Sequence, residues 1–339
     1  MTGHDKQIAR QRAASLILLP SLLSEFGVGL DAVLEGTGVS GDQLRPDVFI
    51  PYTSYLAILA NAAALTGRED FGLLLGRQQK LAALGPLGRI MRHAATLGDA
   101  LADFTKFQIN NSTGGSVYLM RADRDVILGY GVYDLTDRGS AEMQDMVLAV
   151  GCNLISELTN GAITPEEIFL SRSTPKNPIP YRRLANCPVR FEQTQTGVLL
   201  SASALAFALP EADMALHDQG FANLVSVLEG PRAETSSYVR HLLRPMLMMS
   251  RGGMEDVAGR LGIHPRAMRR RLQQEGTTFE AIKDEVRYAV ARQLLLLGAL
   301  NITDIALTLD YSSASSFVHA FRRWSGMSPG AWRESRGDA

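Results

Sequence analysis

The chain has 339 residues, of which 46% are hydrophobic and 20% charged, the composition of an ordinary globular protein with room for two domains. No apolar run approaches the roughly 18 residues of a membrane-spanning helix, so no membrane segment is predicted. The net charge is −1, but the charges are distributed unevenly along the chain. Residues 231–339 carry 16 basic and 11 acidic side chains, whereas the first 230 residues carry 18 basic and 24 acidic side chains. An acidic N-terminal part and a basic C-terminal part indicate that the C-terminal part binds nucleic acid.

Cys152 and Cys187 are the only cysteines. Their separation excludes a zinc ribbon, a C-x-x-C dithiol and a disulfide framework, and it favours a reducing cytoplasm. A redox role for Cys187 stays open, because Arg182 and Arg183 lie near in sequence and would lower its pKa, but a structural thiol is favoured. His93 has no partner at metal-ligand spacing, so we predict no metal site.

Three basic residues precede an apolar run at 13–23, a pattern similar to that of a signal peptide. No small-x-small cleavage site follows, so this run predicts a buried first helix. Residues 13 to about 110 are predicted to be mostly helical, with one helix from near Pro51 to near Gly67 and others at 84–94 and 97–109.

Gly36, Gly38 and Gly41 spell the dinucleotide-binding fingerprint. The preceding residues 31–35 have a helical pattern rather than that of a strand, and no strand–loop–helix unit follows. We therefore predict no nucleotide cofactor and no other cofactor.

A β-hairpin is predicted where two apolar segments, 116–120 and 126–133, flank a turn. A long helix is expected at 140–159, followed by short strands at 167–170, 189–191 and 198–200. These elements predict an α+β domain over residues 1–230.

Three hairpin tyrosines are candidates for lining an effector pocket: Tyr118, Tyr130 and Tyr133. Aromatic strand residues are more often part of the core, so this alternative stays open. A carboxylated effector would need a cation such as Lys106 or Arg121.

A helix at 236–249 and a hinge at 250–253 are predicted to form a linker over residues 231–253. The remaining segment, 254–335, is expected to be wholly helical and to bind DNA.

This helical segment contains a repeat with an offset of 48 residues. The pattern V-A-x-x-L-G-I at 257–263 matches I-A-x-x-L-D-Y at 305–311, and each copy predicts a helix-turn-helix. Gly262 suits a left-handed turn, which Asp310 also tolerates, though less well.

Residues at the helix starts are predicted to cap the helices of the repeat. Pro265 fits the first position of one helix. Ser312 or Ser313 is expected to cap another, and Thr303 the helix before it.

Between the two copies, Ile282, Val286, Val290 and Leu294 form one apolar stripe. They predict a helix of about 18 residues, roughly 27 Å long. Because the major groove of B-DNA recurs about every 34 Å, such a helix suits two recognition helices in successive grooves.

The second helix of the first copy should bury Met268 and Leu272, which lie one turn apart. Arg266, Arg269 and Arg270 then project outward at i, i+3 and i+4, where arginine suits bidentate contact with guanine or phosphate. A merely solvated charged face is the alternative, and the second copy argues against it.

The matching helix should bury Phe317 and Phe321. Its predicted DNA-facing residues are Ser313, Ala314, Ser315, Ser316 and His319, with Arg322 and Arg323 nearer the DNA backbone. These side chains offer fewer strong donors, so weaker base discrimination is expected there.

Residues 254–332 closely resemble the AraC/XylS family of bacterial transcription regulators, above all between Ile305 and Pro329. The chain departs from the family pattern at Asp310, where glycine is usual, at His319, where arginine is common, and at Ala314, where a polar residue is frequent. The resemblance implies DNA binding, and the His319 departure puts the usual contact there in doubt.

The front resembles the subgroup with an arabinose-binding-type regulatory domain, on the motifs at 44–51, 71–76 and 181–191. The resemblance implies effector sensing in front, DNA binding behind and, often, dimerisation through the front domain.

The sequence thus predicts a cytoplasmic, nucleoid-associated, sequence-specific regulator controlled by a small molecule, with no catalytic residues. Its expected partners are double-stranded DNA, an unidentified effector, a second copy in a homodimer and, if it activates, RNA polymerase. A constitutive regulator, an enzyme domain targeted to DNA and a non-specific architectural protein are the alternatives.

Overall fold

The computed structural model describes residues 9–122, 124–132, 138–228, 234–249, 251–296 and 300–337. The chain divides into an N-terminal unit, within residues 6–230, and a C-terminal unit from Pro231 onward. None of the helices in these ranges is long and apolar enough to cross a membrane.

The N-terminal unit combines helices with two sheets, as the α+β prediction requires. Its described helices are α1 Leu19–Ser24, α2 Leu30–Leu34, α3 Tyr52–Thr66, α4 Phe71–Arg77, α5 Pro86–His93, α6 Leu97–Phe107, α7 Ser140–Leu158, α8 Ile179–Arg182, α9 Ala202–Leu205 and α10 Met214–Leu228. Two short strands, β1 Arg10–Arg12 and β2 Phe49–Pro51, pair antiparallel.

The larger sheet has the order β3-β4-β7-β5-β6. Its strands are β3 Gly115–Ala122, β4 Asp125–Val132, β5 Glu167–Phe169, β6 Val189–Arg190 and β7 Thr196–Leu200. The β5–β6 pair is parallel and the other pairs are antiparallel. The hairpin is confirmed, with Leu119 opposite Leu128, and so are the three later strands.

Two glycines of the 71–76 motif allow α4 to pack very close to α7. A Cβ atom on Gly72 would lie 2.0 Å from the carbonyl oxygen of Glu142, and one on Gly76 would lie 2.4 Å from that of Met146. Since no real Cβ approaches backbone so closely, the helices meet at a distance that only glycine permits.

The 181–191 motif contributes Tyr181 to a buried polar cluster on α7. The Tyr181 hydroxyl donates to Asp145 Oδ2 over 2.6 Å, and Arg172 forms an ion pair with the same carboxylate. Asp145 is fully buried; burial raises its pKa to about 7, and Arg172 and Tyr181 oppose this shift only in part.

Helices are the only regular secondary structure in the described residues of the C-terminal unit. Its helices are α11 Thr235–Met248, α12 Met254–Arg260, α13 Pro265–Gln274, α14 Phe279–Leu296, α15 Ile302–Thr308, α16 Ala314–Ser325 and α17 Pro329–Gly337. Helix α14 has 18 residues and buries the predicted stripe, which confirms the helix between the two copies.

The two copies of the repeat form equivalent backbone hydrogen bonds. Ile263 N–H donates to Ala258 O over 3.1 Å, and 48 residues later Tyr311 N–H donates to Ala306 O over 3.0 Å. The left-handed turn residues also correspond, with φ of +66° at Gly262 and +61° at Asp310. Both helix-turn-helix predictions are therefore confirmed.

The capping predictions are confirmed except at Thr303. Ser313 Oγ accepts from Ser316 N–H at the start of α16, and Pro265 is the first residue of α13. Helix α15 begins at Ile302, which places Thr303 inside it; Asn301, in an extended conformation, accepts from Asp304 N–H over 2.9 Å and is the cap.

Helix α11, which we predicted as part of a linker, packs within the C-terminal unit. The Glu275 carboxylate accepts from the backbone N–H groups of Thr235 and Ser236, each over 2.8 Å, and so caps the start of α11. Farther along, Arg240 pairs with Glu285 of α14 over 3.0 Å.

Candidate nucleic-acid interface and ligand cavity

Helix α13 presents an arginine face to solvent. Met268 and Leu272 are fully buried, and Arg266, Arg269 and Arg270 are exposed on the other side. Among the described residues none of the three forms an ion pair; Arg269 Nη2 lies 3.7 Å from the sulfur of Met254. Their donors are thus available to base edges or phosphates.

Helix α16 presents small polar side chains. Phe317 and Phe321 are fully buried, as predicted. Four of the predicted contact residues are exposed, and Ala314 is half-buried; the exposed four are Ser313, Ser315, Ser316 and His319. The hydroxyls of Ser313 and Ser316 lie 2.9 Å apart and bond to each other, so they are oriented by the cap itself.

The two arginines late in α16 differ in their surroundings. Arg323 pairs with Asp284 of α14 over 2.6 Å, and its side chain is 67% exposed. Arg322 is exposed and has no ion-pair partner in the described part of the chain. A phosphate must compete with Asp284 for Arg323, whereas Arg322 is unengaged.

Arg287 of α14 braces the second turn, a role that the sequence analysis missed. Its Nε donates to Leu309 O over 2.9 Å and its Nη2 to Asp310 O over 2.7 Å. The guanidinium also lies 4.3 Å from the centroid of the Tyr311 ring. The sequence signal was a non-glycine residue in the left-handed turn, which needs outside support.

Aromatic rings fix α16 against its neighbours. Phe321 lies 5.5 Å from Tyr288 of α14 and 5.9 Å from Trp332 of α17, centroid to centroid. The second recognition surface is therefore held by a packed core rather than by its own short helix.

The N-terminal unit contains a cavity of about 90 Å³. Its apolar wall consists mainly of Phe104, Val117, Met143, Met146, Val147 and Val150, and its polar residues include Gln11, Arg12, Lys80, Gln108 and Asn111. Tyr130 also lines this space, and its hydroxyl lies 2.8 Å from that of Tyr52.

The other predicted effector residues lie elsewhere. Tyr118 is buried outside the cavity wall and donates to Gln195 Oε1 over 3.1 Å. Tyr133 lies outside the described residues. Lys106 sits 4.4 Å from the Phe221 ring centroid, and Arg121 is exposed, so neither predicted cation lines the cavity.

The cysteines are not arranged for thiolate chemistry. Burial raises the pKa of Cys187, and Glu167 and Glu166 raise it further, which is the opposite of the lowering suggested by the nearby arginines. Burial also raises the pKa of Cys152 to about 12. His93 Nδ1 donates to the backbone carbonyl oxygen of Glu211 over 3.0 Å.

Comparison with known proteins gives matches to both units. A family model described as "Arabinose-binding domain of AraC transcription regulator, N-term" matches residues 27–209, and one described as "Helix-turn-helix domain" matches residues 257–335.

Two curated relatives match over nearly their whole length. The chain is 28% identical over 327 residues to the HTH-type transcriptional regulator VirS of Mycobacterium tuberculosis, covering 95% of this chain and 96% of that protein. It is 24% identical over 345 residues to the ornithine utilization regulator of Pseudomonas aeruginosa, covering 94% of each. The crystal structure of the transcriptional regulator CdpR from Pseudomonas aeruginosa aligns with 23% identity and a TM-score of 0.45, covering 90% of this chain and 96% of that chain.

Proposed function

Because the chain belongs to the AraC family of transcription regulators, with an arabinose-binding-type N-terminal domain, we propose that it binds a specific DNA sequence through both helix-turn-helix motifs. Residues 254–335 form the DNA-binding domain, residues 231–253 lead into it, and residues 1–230 form a sensing domain. The matched families and relatives are regulators, not enzymes.

The observation that carries this proposal is the unpaired arginine face of α13. Arg266, Arg269 and Arg270 read bases or bind phosphates in one groove, and the small side chains of α16 contact the next. Ser315, His319 and Arg322 are exposed on α16, and we expect them to make such contact.

The N-terminal unit senses a small molecule in its cavity, and the ligand alters DNA binding by preferring one of two states of the protein. The protein acts in the cytoplasm, at the nucleoid, as a homodimer, and it contacts RNA polymerase if it activates. One of the relatives is named for ornithine utilization, so metabolites of comparable size are the first effectors to examine.

Selection of binding sites from a random duplex pool by the full-length protein tests this function. We expect one enriched sequence motif, bound far more tightly than a scrambled duplex at near-physiological salt. Equal affinity for both duplexes, with a steep salt dependence, would instead identify an architectural protein that contacts phosphates only.

The effector is tested on the selected duplex. A metabolite that binds the N-terminal unit should change the affinity for this duplex, whereas a variant with a filled cavity should not respond. If no ligand changes the affinity, the protein is a constitutive regulator.

A further inference from the structure

The cavity of the N-terminal unit is small. Its volume is about 90 Å³, whereas a protein cavity of about 150 Å³ takes up benzene. The enclosed part of a ligand therefore has on the order of four non-hydrogen atoms. A phosphate ester would use most of these atoms in its head group and leave the apolar wall uncovered.

The cavity is lined by both apolar and basic side chains. Val147 and Val150 of α7 and Phe104 are among the apolar ones, and Arg12 and Lys80 are basic. None of the described residues that line this space carries a carboxylate. An apolar body with one negative charge matches this lining.

Arg12 is held rigidly and still has an unused donor. Its Nε donates to the carbonyl of Pro46, and its Nη1 donates to Asn111 Oδ1 over 3.0 Å and to Ala83 O at 3.5 Å. Nη2 has no hydrogen-bond partner among the residues that the structure describes. A guanidinium fixed in this way offers its remaining N–H groups to an anion at little entropic cost.

The acidic groups near Arg12 and Lys80 do not neutralise these two cations. Burial lowers the pKa of Arg12 and Asp47 opposes the shift, but a guanidinium stays charged at any physiological pH. Lys80 is exposed and forms no ion pair in the described ranges. The adjacent Glu157 carboxylate is already bonded to Leu81 N–H and Arg92.

We propose that this cavity binds a short aliphatic monocarboxylate, with its carboxylate on Arg12 and Lys80 and its hydrocarbon chain against Val147 and Val150. This inference names the class of ligand that the cavity binds. It rests on the proposed function only for the further step that the bound ligand acts as an effector.

Calorimetric titration of the full-length protein with sodium butyrate and sodium valerate tests the proposal, with butyramide as the uncharged control. We expect both carboxylates to bind and butyramide to bind at least about tenfold more weakly, since the amide cannot form the charged contact. Equal binding of butyramide and butyrate, or no binding of either carboxylate at millimolar concentration, would overturn the proposal.

Three variants assign the site. Arg12→Gln should weaken butyrate binding about tenfold or more and Lys80→Gln several-fold, while Arg89→Gln, an exposed arginine outside the cavity wall, should bind as the wild type does. Because Arg12 also supports the fold through Asn111, Lys80→Gln serves as the variant that removes charge alone. Val150→Phe fills the cavity and should abolish binding.

Wild-type butyrate affinity in Lys80→Gln and in Val150→Phe would place the ligand elsewhere and contradict the assignment. DNA affinity measured on the same samples separates this outcome from failure of the proposed function. If butyrate binds but does not change the affinity for DNA, the proposed ligand class is supported and control by an effector is contradicted. If the protein shows no preference for any DNA sequence, only the proposed regulator function is contradicted.

Discussion

At residue scale, position 310 shows how side chains outside a turn make an unfavourable conformation acceptable. Asp310 adopts the left-handed conformation (φ +61°), which costs an L-residue of the order of 1 kcal/mol. Arg287 holds the backbone of the turn, and Lys283 Nζ lies 3.6 Å from the Asp310 carboxylate. Glycine at 262 needs no such support, which explains why the two copies differ.

Substitutions of Asp310 separate the backbone cost from the side-chain contacts. Asp310→Gly removes the left-handed cost but also loses the carboxylate contacts with Lys283 and Arg287, whose side chains are only 13% and 12% exposed, so its free energy of unfolding should be close to that of the wild type. Asp310→Ala keeps the cost and loses the contacts, and should be about 1 kcal/mol less stable than Asp310→Gly. Urea denaturation measures both, and equal stability of the two variants would contradict this explanation.

Arg269 is the arginine of α13 for which we predict base readout. Arg269→Ala should reduce affinity for the selected duplex by about 1–3 kcal/mol and relax one base position, because a bidentate contact is lost. Arg271→Ala is the matched control: Arg271 is exposed on the same helix but lies off the Arg266–Arg269–Arg270 face. Competition assays with duplexes that carry single-base changes measure the base preferences of both protein variants. Identical base preferences of Arg269→Ala and Arg271→Ala would show that Arg269 does not read a base.

At element scale, helix contacts explain which sequence motifs matter for the fold. The close approach of α4 to α7 depends on Gly72 and Gly76, and the start of α11 depends on Glu275, which lies beyond the end of α13. A substitution at such a position moves a whole helix rather than one side chain.

Gly76→Ala should destabilise the N-terminal unit by about 1–3 kcal/mol, because the new Cβ would overlap the backbone of α7. Gly151→Ala, within α7, is the control, since its Cβ would meet only Leu128, at 4.0 Å. It should be neutral or slightly stabilising, as alanine favours the helix. Thermal unfolding of both variants tests the contact, and equal melting temperatures would mean that the helices are not in close contact.

The contact of His217 in α10 with Asp103 in α6 is expected to stabilise the packing of these two helices in a pH-dependent way. Its Nε2 lies 2.8 Å from Asp103 Oδ2 and its Nδ1 3.4 Å from Asp218 Oδ1. Burial lowers the pKa of His217, but the hydrogen bonds to Asp103 and Asp218 outweigh this and raise the pKa above its ordinary value of 6.5. The stabilisation is therefore complete below pH 6.5 and is lost as pH rises through the folded-state pKa.

Hydrogen exchange of α10 should accordingly be faster at pH 8 than at pH 6, after correction for the intrinsic exchange rate. His217→Gln should remove most of this difference, and His319→Gln, in the C-terminal unit, should leave it unchanged. Protection that is the same at both pH values in the wild type would exclude the switch.

Local sequence patterns predicted the elements whose partners are near in the chain. The stripe of α14, the Ser313 cap and the 48-residue repeat all follow from spacings of a few residues or from internal comparison. Arg12 could not be assigned to the cavity in the same way, because its contact with Asn111 spans 99 positions. The helix start predicted from Thr303 was wrong by two residues, because Asn301 is the actual cap.

At the scale of the whole molecule, one chain contains an N-terminal unit with an arabinose-binding-type domain and a C-terminal unit with two helix-turn-helix motifs. Helix α14 has 18 residues and thus spans about 27 Å, and its buried face packs into the core of the C-terminal unit. Two motifs joined by such a helix are suited to adjacent major grooves on one face of DNA, at a separation that the protein fixes.

The most direct measurement is the affinity of the full-length protein for a series of duplexes in which the two blocks of the selected site are moved apart. We predict maximal affinity at a centre-to-centre spacing of about 10–10.5 base pairs, and a fall to the level of one block alone when about half a turn, five base pairs, is inserted. Affinity that is independent of the spacing would contradict simultaneous binding by the two helix-turn-helix motifs.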